Sequence, residues 1–146
     1  MNAADLDRVV EIATALSEAP HWPASAYLTA IDPENAPRRI ALVAVDLETE
    51  TLAGFLVASL LPPEAELETI AVAAEGQRRG VGSRLLVTLL DELRNEQVGD
   101  LILEVRASNR AAQGFYGARG FEEIGRRPRY YAEPEEDAVL MSLTLV

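Results

Sequence analysis

The chain has no cysteine and a single histidine, His21. Without thiols there is no disulfide, no thiolate zinc site and no cysteine nucleophile, which rules out group transfer through an enzyme thioester. One imidazole does not build a histidine metal cluster, so no metal centre is expected. A serine triad would have to recruit His21 as its base, and no Gly-x-Ser-x-Gly elbow supplies the nucleophile. No apolar run approaches the roughly 18 to 20 residues of a membrane span. The opening Met1-Asn2-Ala3-Ala4-Asp5 lacks the positive charge that begins a signal peptide. A soluble, cytoplasmic protein without a membrane partner is expected. Positive charge is outweighed throughout: a formal net charge of -11 repels nucleic acid, so direct nucleic-acid binding is not expected and a basic protein or peptide is the better partner.

What is present is enough apolar material for one core. With 146 residues and 49% hydrophobic content, one domain spanning residues 1–146 is expected. Leu6, Val9, Val10, Ile12, Ala13 and Leu16 recur at three- and four-residue steps, predicting a helix from Asp5 to Glu18. Pro20 and Pro23 flank His21 and Trp22, both assigned to structure, and a short helix from Ser25 to Ile31 follows. Arg39 to Val45 and Leu52 to Leu60 read as a hairpin, and Ala65 to Val72 as a third strand. One apolar stripe from Val81 to Leu93 predicts a helix over Gly82 to Asn95, with a strand at Asp100 to Val105. A further helix starts at Asn109, a residue suited to capping free N–H groups, and stops near Gly120. The last two strands, Glu122 to Arg127 and Ala138 to Leu145, are joined by a loop from Pro128 to Asp137. Strands and helices alternating in this way predict an α/β fold, a mixed sheet with helices on its faces.

One segment stands out against the acidic background. Arg78, Arg79 and Arg84 cluster around Gly80 and Gly82, where a helix begins. A helix N-terminus exposes unpaired N–H groups and carries about half a positive charge, and glycines let a phosphate approach those donors. The segment is not a mononucleotide P-loop, because Lys-Ser or Lys-Thr does not follow the second glycine, and Leu85 stands where the dinucleotide fingerprint needs its third glycine. A different phosphate ligand is implied.

Gln77-Arg78-Arg79-Gly80-Val81-Gly82 resembles the pyrophosphate loop of the GNAT acetyltransferases, Gln/Arg-x-x-Gly-x-Gly/Ala, at every specified position. Leu67 to Val72 before it, and Ala112 to Phe121 after it, resemble the strand and later helix of that family. Within the superfamily the likeness is to the RimI type, which acetylates the N-terminal alanine of a small-subunit ribosomal protein. Ala65 to Val72, Leu103 to Asn109, Arg126 to Tyr131 and Glu136 to Met141 carry it.

The resemblance implies a GNAT fold: a mostly antiparallel mixed sheet with a splayed central strand pair, here with the usual first strand missing ahead of the first helix. It implies acetyl-CoA as the acetyl donor and a basic protein or peptide N-terminus, such as that of a ribosomal protein, as acceptor. Ile70, Ala71 and Val72 would offer backbone groups to the pantetheine arm and acetyl carbonyl. Gln77, Arg78, Arg79, Gly80, Val81, Gly82, Ser83 and Arg84 would hold the pyrophosphate, and Asn109 would contact the coenzyme besides capping its helix.

Glu104, an acid near the end of the apolar strand Leu101-Ile102-Leu103, suits a general base because burial raises proton affinity; a salt bridge to Arg106 or another arginine explains it equally well from the residues alone. By resemblance Glu104 is the base, and Tyr116 the acid that returns a proton to the coenzyme sulfur. An α-amine, with a pKa of about 7.7 to 8.0 against about 10.4 for lysine, asks little of that base. Glu66 and Glu68 share one parity with Ile70, so one or both are expected to face a cationic acceptor. Tyr130 and Tyr131 are expected to hold the acceptor's backbone from their loop. Two rival readings remain at this level: a GNAT enzyme acting on a small amine or antibiotic, and a noncatalytic acetyl-CoA sensor.

Overall fold

The chain forms six strands: β1 Arg39–Asp46, β2 Thr51–Leu61, β3 Glu64–Val72, β4 Asp100–Arg106, β5 Glu122–Ala132 and β6 Glu135–Thr144. The helices are α1 Leu6–Ala15, α2 Ala24–Ile31, α3 Val81–Asn95 and α4 Arg110–Gly117. The structure is a computed structural model and describes residues 1–16, 22–77, 79–132 and 134–145. His21, Arg78 and the expected end of the first helix at Glu18 lie outside the described residues. The strands form one sheet in the order β1-β2-β3-β4-β6-β5, antiparallel except for the parallel pair β3–β4. No strand precedes α1 among the described residues. The chain enters that helix through a 3-10 turn, Ala3–Asp5, closed by an Asn2–Asp5 capping box.

Two apolar clusters lie on opposite faces. On one face α3 and α4 cover Ile40, Leu56, Ala58, Leu67, Leu101, Leu103 and Val105 with Leu85, Leu86, Leu89, Leu93 and Tyr116. On the other, α1 and α2 cover Phe55, Val57 and Ala71 with Val9, Ile12 and Tyr27. No helix among the described residues is long and apolar enough to cross a membrane.

β3 carries the feature that matters most for function. Val57 opposes Thr69 while Ala58 opposes Leu67, so Glu68 is one residue too many: a β-bulge. Before it, Ala65 and Leu67 point to the α3–α4 core; after it, Ile70 does so and Ala71 joins the α1–α2 core. The shared parity expected for Glu66, Glu68 and Ile70 is therefore broken, because the inserted residue flips every later side chain to the other face. Glu66 and Glu68 face the α1–α2 side, and Ile70 faces the other.

The bulge also marks where the sheet divides. β3 and β4 pair only from Glu64–Asp100 to Leu67–Leu103, whereas β4 stays on β6 as far as Arg106 and β3 stays on β2 as far as Val72. A wedge opens between Glu68–Val72 and Glu104–Arg106. Ala73 donates its N–H to Ala53 C=O at 2.8 Å, and the alternation of an antiparallel ladder then turns Ala71 toward β2, and Ile70 and Val72 away from it. The Gln77 side-chain amide donates to the Val72 carbonyl at 3.1 Å, as that direction requires.

At the far edge the expected loop from Pro128 to Asp137 is not a loop. β5 runs to Ala132, and its register slips between Arg127, opposite Ala138, and Tyr131, opposite Glu136. Pro128, Arg129 and Tyr130 thus stand against Asp137 alone, in a wide bulge where Arg129 has φ +53° and donates its N–H to Asp137 Oδ1 at 3.0 Å. Pro128 lacks a donor, but an edge strand at a bulge does not need one.

Candidate active site

The wedge forms a cavity of about 1100 Å³, walled by β3, β4, the start of α3, α4 and Tyr130–Tyr131 of β5. It brings together Glu66, Glu68, Ile70, Ala71, Val72, Gln77, Gly82, Glu104, Asn109, Tyr116, Tyr130 and Tyr131 of the residues singled out from sequence. Arg79, Gly80, Val81, Ser83 and Arg84 form the turn and first helical residues beside it but are not among its walls.

Gly80 sits at the N-cap of α3 with φ +78°, a left-handed conformation that glycine adopts without strain, and no side chain caps this end. The N–H groups of Val81, Gly82 and Ser83 precede the first intrahelical donor and therefore point out of the helix end. A Cβ on Gly82 would lie 3.5 Å from the Phe115 ring and 3.7 Å from Val72, so any longer side chain must grow into the cavity. Arg119 stacks over the Phe115 ring at 3.7 Å and donates to Ser83 Oγ and to the Phe115 carbonyl, adding a cation with no carboxylate partner among the described residues beside this helix end.

Asn109 caps α4, its Oδ1 accepting from Ala112 N–H at 3.0 Å. The turn before it is clamped: Gln113 donates to the Arg106 and Ala107 carbonyls, and Glu136 accepts from Ser108 N–H and Oγ and from Arg106. Partial desolvation opposes ionisation of Glu136, but those Arg106 and Ser108 donors win and hold its carboxyl below the usual range.

Within α4, Tyr116 is 7% exposed, edge-on to Phe115 and Phe121 at 5.3 and 5.4 Å between ring centroids. Burial pushes its phenol up to about 12. It lines the cavity, and its hydroxyl has no hydrogen-bond partner among the described residues. Gly114 and Gly117 are on the exposed side of α4 with nothing within 4 Å of a Cβ, so their small size leaves Tyr116's packing intact.

Glu104 lies on the opposite sheet face from Tyr116, because Leu103 and Val105 take the core side. The wedge opens the sheet between them, so both line one cavity. The Glu104 side chain is 16% exposed, and its Oε1 is 3.2 Å from Nε of Arg127, the neighbour that answers the salt-bridge alternative in place of Arg106. The Glu104 carboxylate raises the Tyr130 phenol, through hydrogen bonding first and its charge second. Tyr131 lies under the Arg106 guanidinium at 4.3 Å, with desolvation first and Glu104 second raising its phenol. Glu68 is bound to Arg39 at 2.8 Å, both side chains 19% exposed.

Sequence reasoning did not single out Arg127 or Thr69. Arg127 lies in a segment that carries the family resemblance, but the side of the sheet it shares with Glu104 is set by a register shift between Glu123 and Gly125 of β5. Thr69 is 4% exposed, lines the cavity and has a hydroxyl without a partner among the described residues; only the Glu68 bulge gives it that position. Trp22, assigned to structure, packs on Tyr27 at 5.1 Å and also lines the cavity. No group of three His, Cys, Asp or Glu side chains suited to a metal exists among the described residues.

Comparison with known proteins agrees with this geometry. The chain is 44% identical over 98 residues to a ribosomal protein bS18-alanine N-acetyltransferase of Salmonella typhimurium, covering 66% of each chain. Over 95 residues, 62% of this chain and 58% of the other, it is 44% identical to the N-alpha-acetyltransferase RimI of Mycobacterium tuberculosis. The matched stretch is thus less than two thirds of either relative's length. The crystal structure of the ribosomal-protein-S18-alanine N-acetyltransferase from Escherichia coli superposes with a TM-score of 0.84 at 32% identity, over 99% of this chain and 90% of that one. Residues 7–121 match the acetyltransferase (GNAT) family, and the chain belongs to that family, whose members take acetyl-CoA as acetyl donor.

Proposed function

We propose that this protein transfers an acetyl group from acetyl-CoA to the N-terminal α-amine of a protein, with a ribosomal-protein N-terminal alanine as the acceptor its relatives suggest. The observation that carries this reading is the single cavity in which an unpartnered phenol, Tyr116, and a carboxylate, Glu104, meet from opposite sheet faces across the opened wedge. That arrangement separates a donor side, behind β3 and α4, from an acceptor side, under β5. Two substrates meet there without an enzyme-bound intermediate, which suits a chain lacking cysteine.

The residues present fit acetyl-CoA. The uncapped start of α3 offers N–H donors to a pyrophosphate, and the wedge offers Ile70 and Val72 backbone groups to a pantetheine amide and an acetyl oxygen. The donor supplies an activated thioester. Backbone N–H groups fixed in a sheet cost no reorganisation when negative charge develops on that oxygen. Glu104 draws the proton from the incoming amine, directly or through water, and exchanges its hold on Arg127 and Tyr130 for that proton. Tyr116, kept neutral at physiological pH by burial, holds its proton toward the departing sulfur. Tyr130 and Tyr131 flank the acceptor's path, and the 16%-exposed Glu104 lies at its end.

The test is transfer of labelled acetyl from acetyl-CoA to peptides beginning with alanine, beside blocked lysine peptides and polyamines. The chain itself contains no lysine, so label on the protein does not arise from ε-amine self-acetylation. Preferential labelling of free α-amines is expected. Labelling of polyamines or aminoglycosides alone would move the protein to small-amine acetylation, and tight coenzyme binding without any transfer would make it a sensor.

A further inference from the structure

The acceptor side of the cavity holds three carboxylates, and among the described residues two of them have a cation. Glu68 is bound to Arg39 at 2.8 Å and Glu104 to Arg127 at 3.2 Å. Glu66 has no ion pair or hydrogen bond among the described residues, and it lines the same cavity. Partial desolvation, then the charges of Glu104 and Glu68, raise its carboxyl above the usual range, with Arg127 countering only in part. On the same wall Thr69 Oγ1, on a residue 4% exposed, is a buried hydroxyl with no partner among the described residues. Two polar groups of one wall thus lack what a ligand would bring: a persistent positive charge and a hydrogen-bonding group.

The reacting amine does not meet that need. It must reach an acetyl carbon held near Ile70 and Val72, in the opened wedge, and must be neutral when it attacks. Glu66 pairs with Ile102 in the closed part of the ladder, short of the split. Glu66 and Ile70 oppose Ser59 and Leu56, three residues apart on β2 because of the bulge, so at roughly 3.3 Å per strand residue Glu66 stands on the order of 10 Å behind Ile70 along β3. An extended acceptor that puts its terminus in the wedge runs its next side chain back over that floor.

We infer that Glu66 is a specificity-determining residue that reads a cationic side chain at the second position of the acceptor peptide. This rests on the N-terminal acetylation proposed above. Glu68 and Glu104 are neutralised within the protein, so Glu66 alone discriminates by charge. A cationic side chain offsets the crowding of three negative groups, a neutral one leaves it, and an acidic one adds to it.

The experiment measures kcat/KM for three peptides that differ only at position two, Ala-Arg, Ala-Gln and Ala-Glu. Wild type should prefer Ala-Arg over Ala-Gln about tenfold, as a charge-assisted contact in a partly desolvated groove allows. Glu66→Gln should bring that ratio close to one, through KM for the Ala-Arg peptide with KM for acetyl-CoA unmoved. Glu66→Lys should invert the order toward Ala-Glu. Ratios within each variant cancel any general loss of folding or turnover. An Arg/Gln ratio that stays at the wild-type value in both variants, or an equal loss on all three peptides, overturns the inference while leaving N-terminal acetylation standing. Wild type inactive on all three peptides but active on small amines removes both.

Discussion

The two halves of the cavity are built in different ways. The proposed coenzyme half is mostly backbone: the uncapped end of α3, the Gly80 turn and the Ile70 and Val72 groups turned into the wedge. The acceptor half is mostly side chains in charge balance: Glu104 with Arg127 and Tyr130, Glu68 with Arg39, Arg106 with Tyr131 and Glu136. Backbone donors present one fixed geometry to one fixed ligand. Side-chain pairs can be exchanged residue by residue, so the acceptor half is where specificity is free to vary while the donor half stays constant.

Removing the proposed base should have the largest effect and falls in the proposed acceptor half. Glu104→Gln is expected to lower kcat by about 10²- to 10⁴-fold while leaving coenzyme affinity within error, measured by steady-state kinetics and calorimetric titration. A loss of coenzyme affinity of similar size would mean that the two halves are not separable. Turnover unchanged in the variant would remove Glu104 from the chemistry.

Next in size is an effect of Tyr116 that needs no substrate. Burial penalises the phenolate and pushes the folded Tyr116 phenol up to about 12, above the usual 10.0. This contribution to stability is complete below pH 10 and is lost as pH rises through about 12, on the order of 2 kcal/mol in all. Tyr116→Phe has no such proton, so urea midpoints of wild type and variant should diverge above pH 10, with wild type falling further. Parallel curves would show that the phenol is less enclosed than the Phe115 and Phe121 rings imply. At neutral pH the variant should bind coenzyme normally and turn over slowly, as a proton donor's loss predicts.

How much of this was legible beforehand follows the same division. The Gly80–Gly82 turn and the α3 stripe depend on local spacing, and α3 starts within one residue of its expected position. Asn109 was readable as a cap for the same reason. The acceptor half depends on two bulges that no periodicity announces. An extra residue at Glu68 reversed the parity that had placed Ile70 beside Glu66, and the slip at Pro128–Tyr130 replaced an expected loop with a strand that carries Tyr130 and Tyr131 to the cavity. Bulges are settled by the pairing strand, so a pattern read along one strand misses them.

A smaller expected effect tests the coenzyme half from inside. Gly82→Trp places a ring where only a Cβ has room between Phe115 and Val72. The dissociation constant for acetyl-CoA should rise roughly tenfold or more, about 1.4 kcal/mol or above, with the fold and the peptide's own binding retained. An unaltered constant would detach the glycine turn from the coenzyme.

The smallest effect separates two roles of one residue at the boundary between the halves. Asn109 caps α4 through Ala112 N–H at 3.0 Å, and it also lines the cavity. Asn109→Ala should cost about 1 kcal/mol of stability through the cap alone. Asn109→Ser restores an N-cap oxygen but withdraws the amide from the cavity. If capping is the whole role, the serine variant recovers both thermal midpoint and KM for acetyl-CoA. If the amide also touches the coenzyme, the midpoint recovers and KM stays raised. The second outcome is expected, because the start of α4 is already held by Gln113 on the Arg106 and Ala107 carbonyls and by Glu136 on Ser108. With that much holding the turn, a side chain that also faces the cavity is positioned to contact the coenzyme as well as to cap.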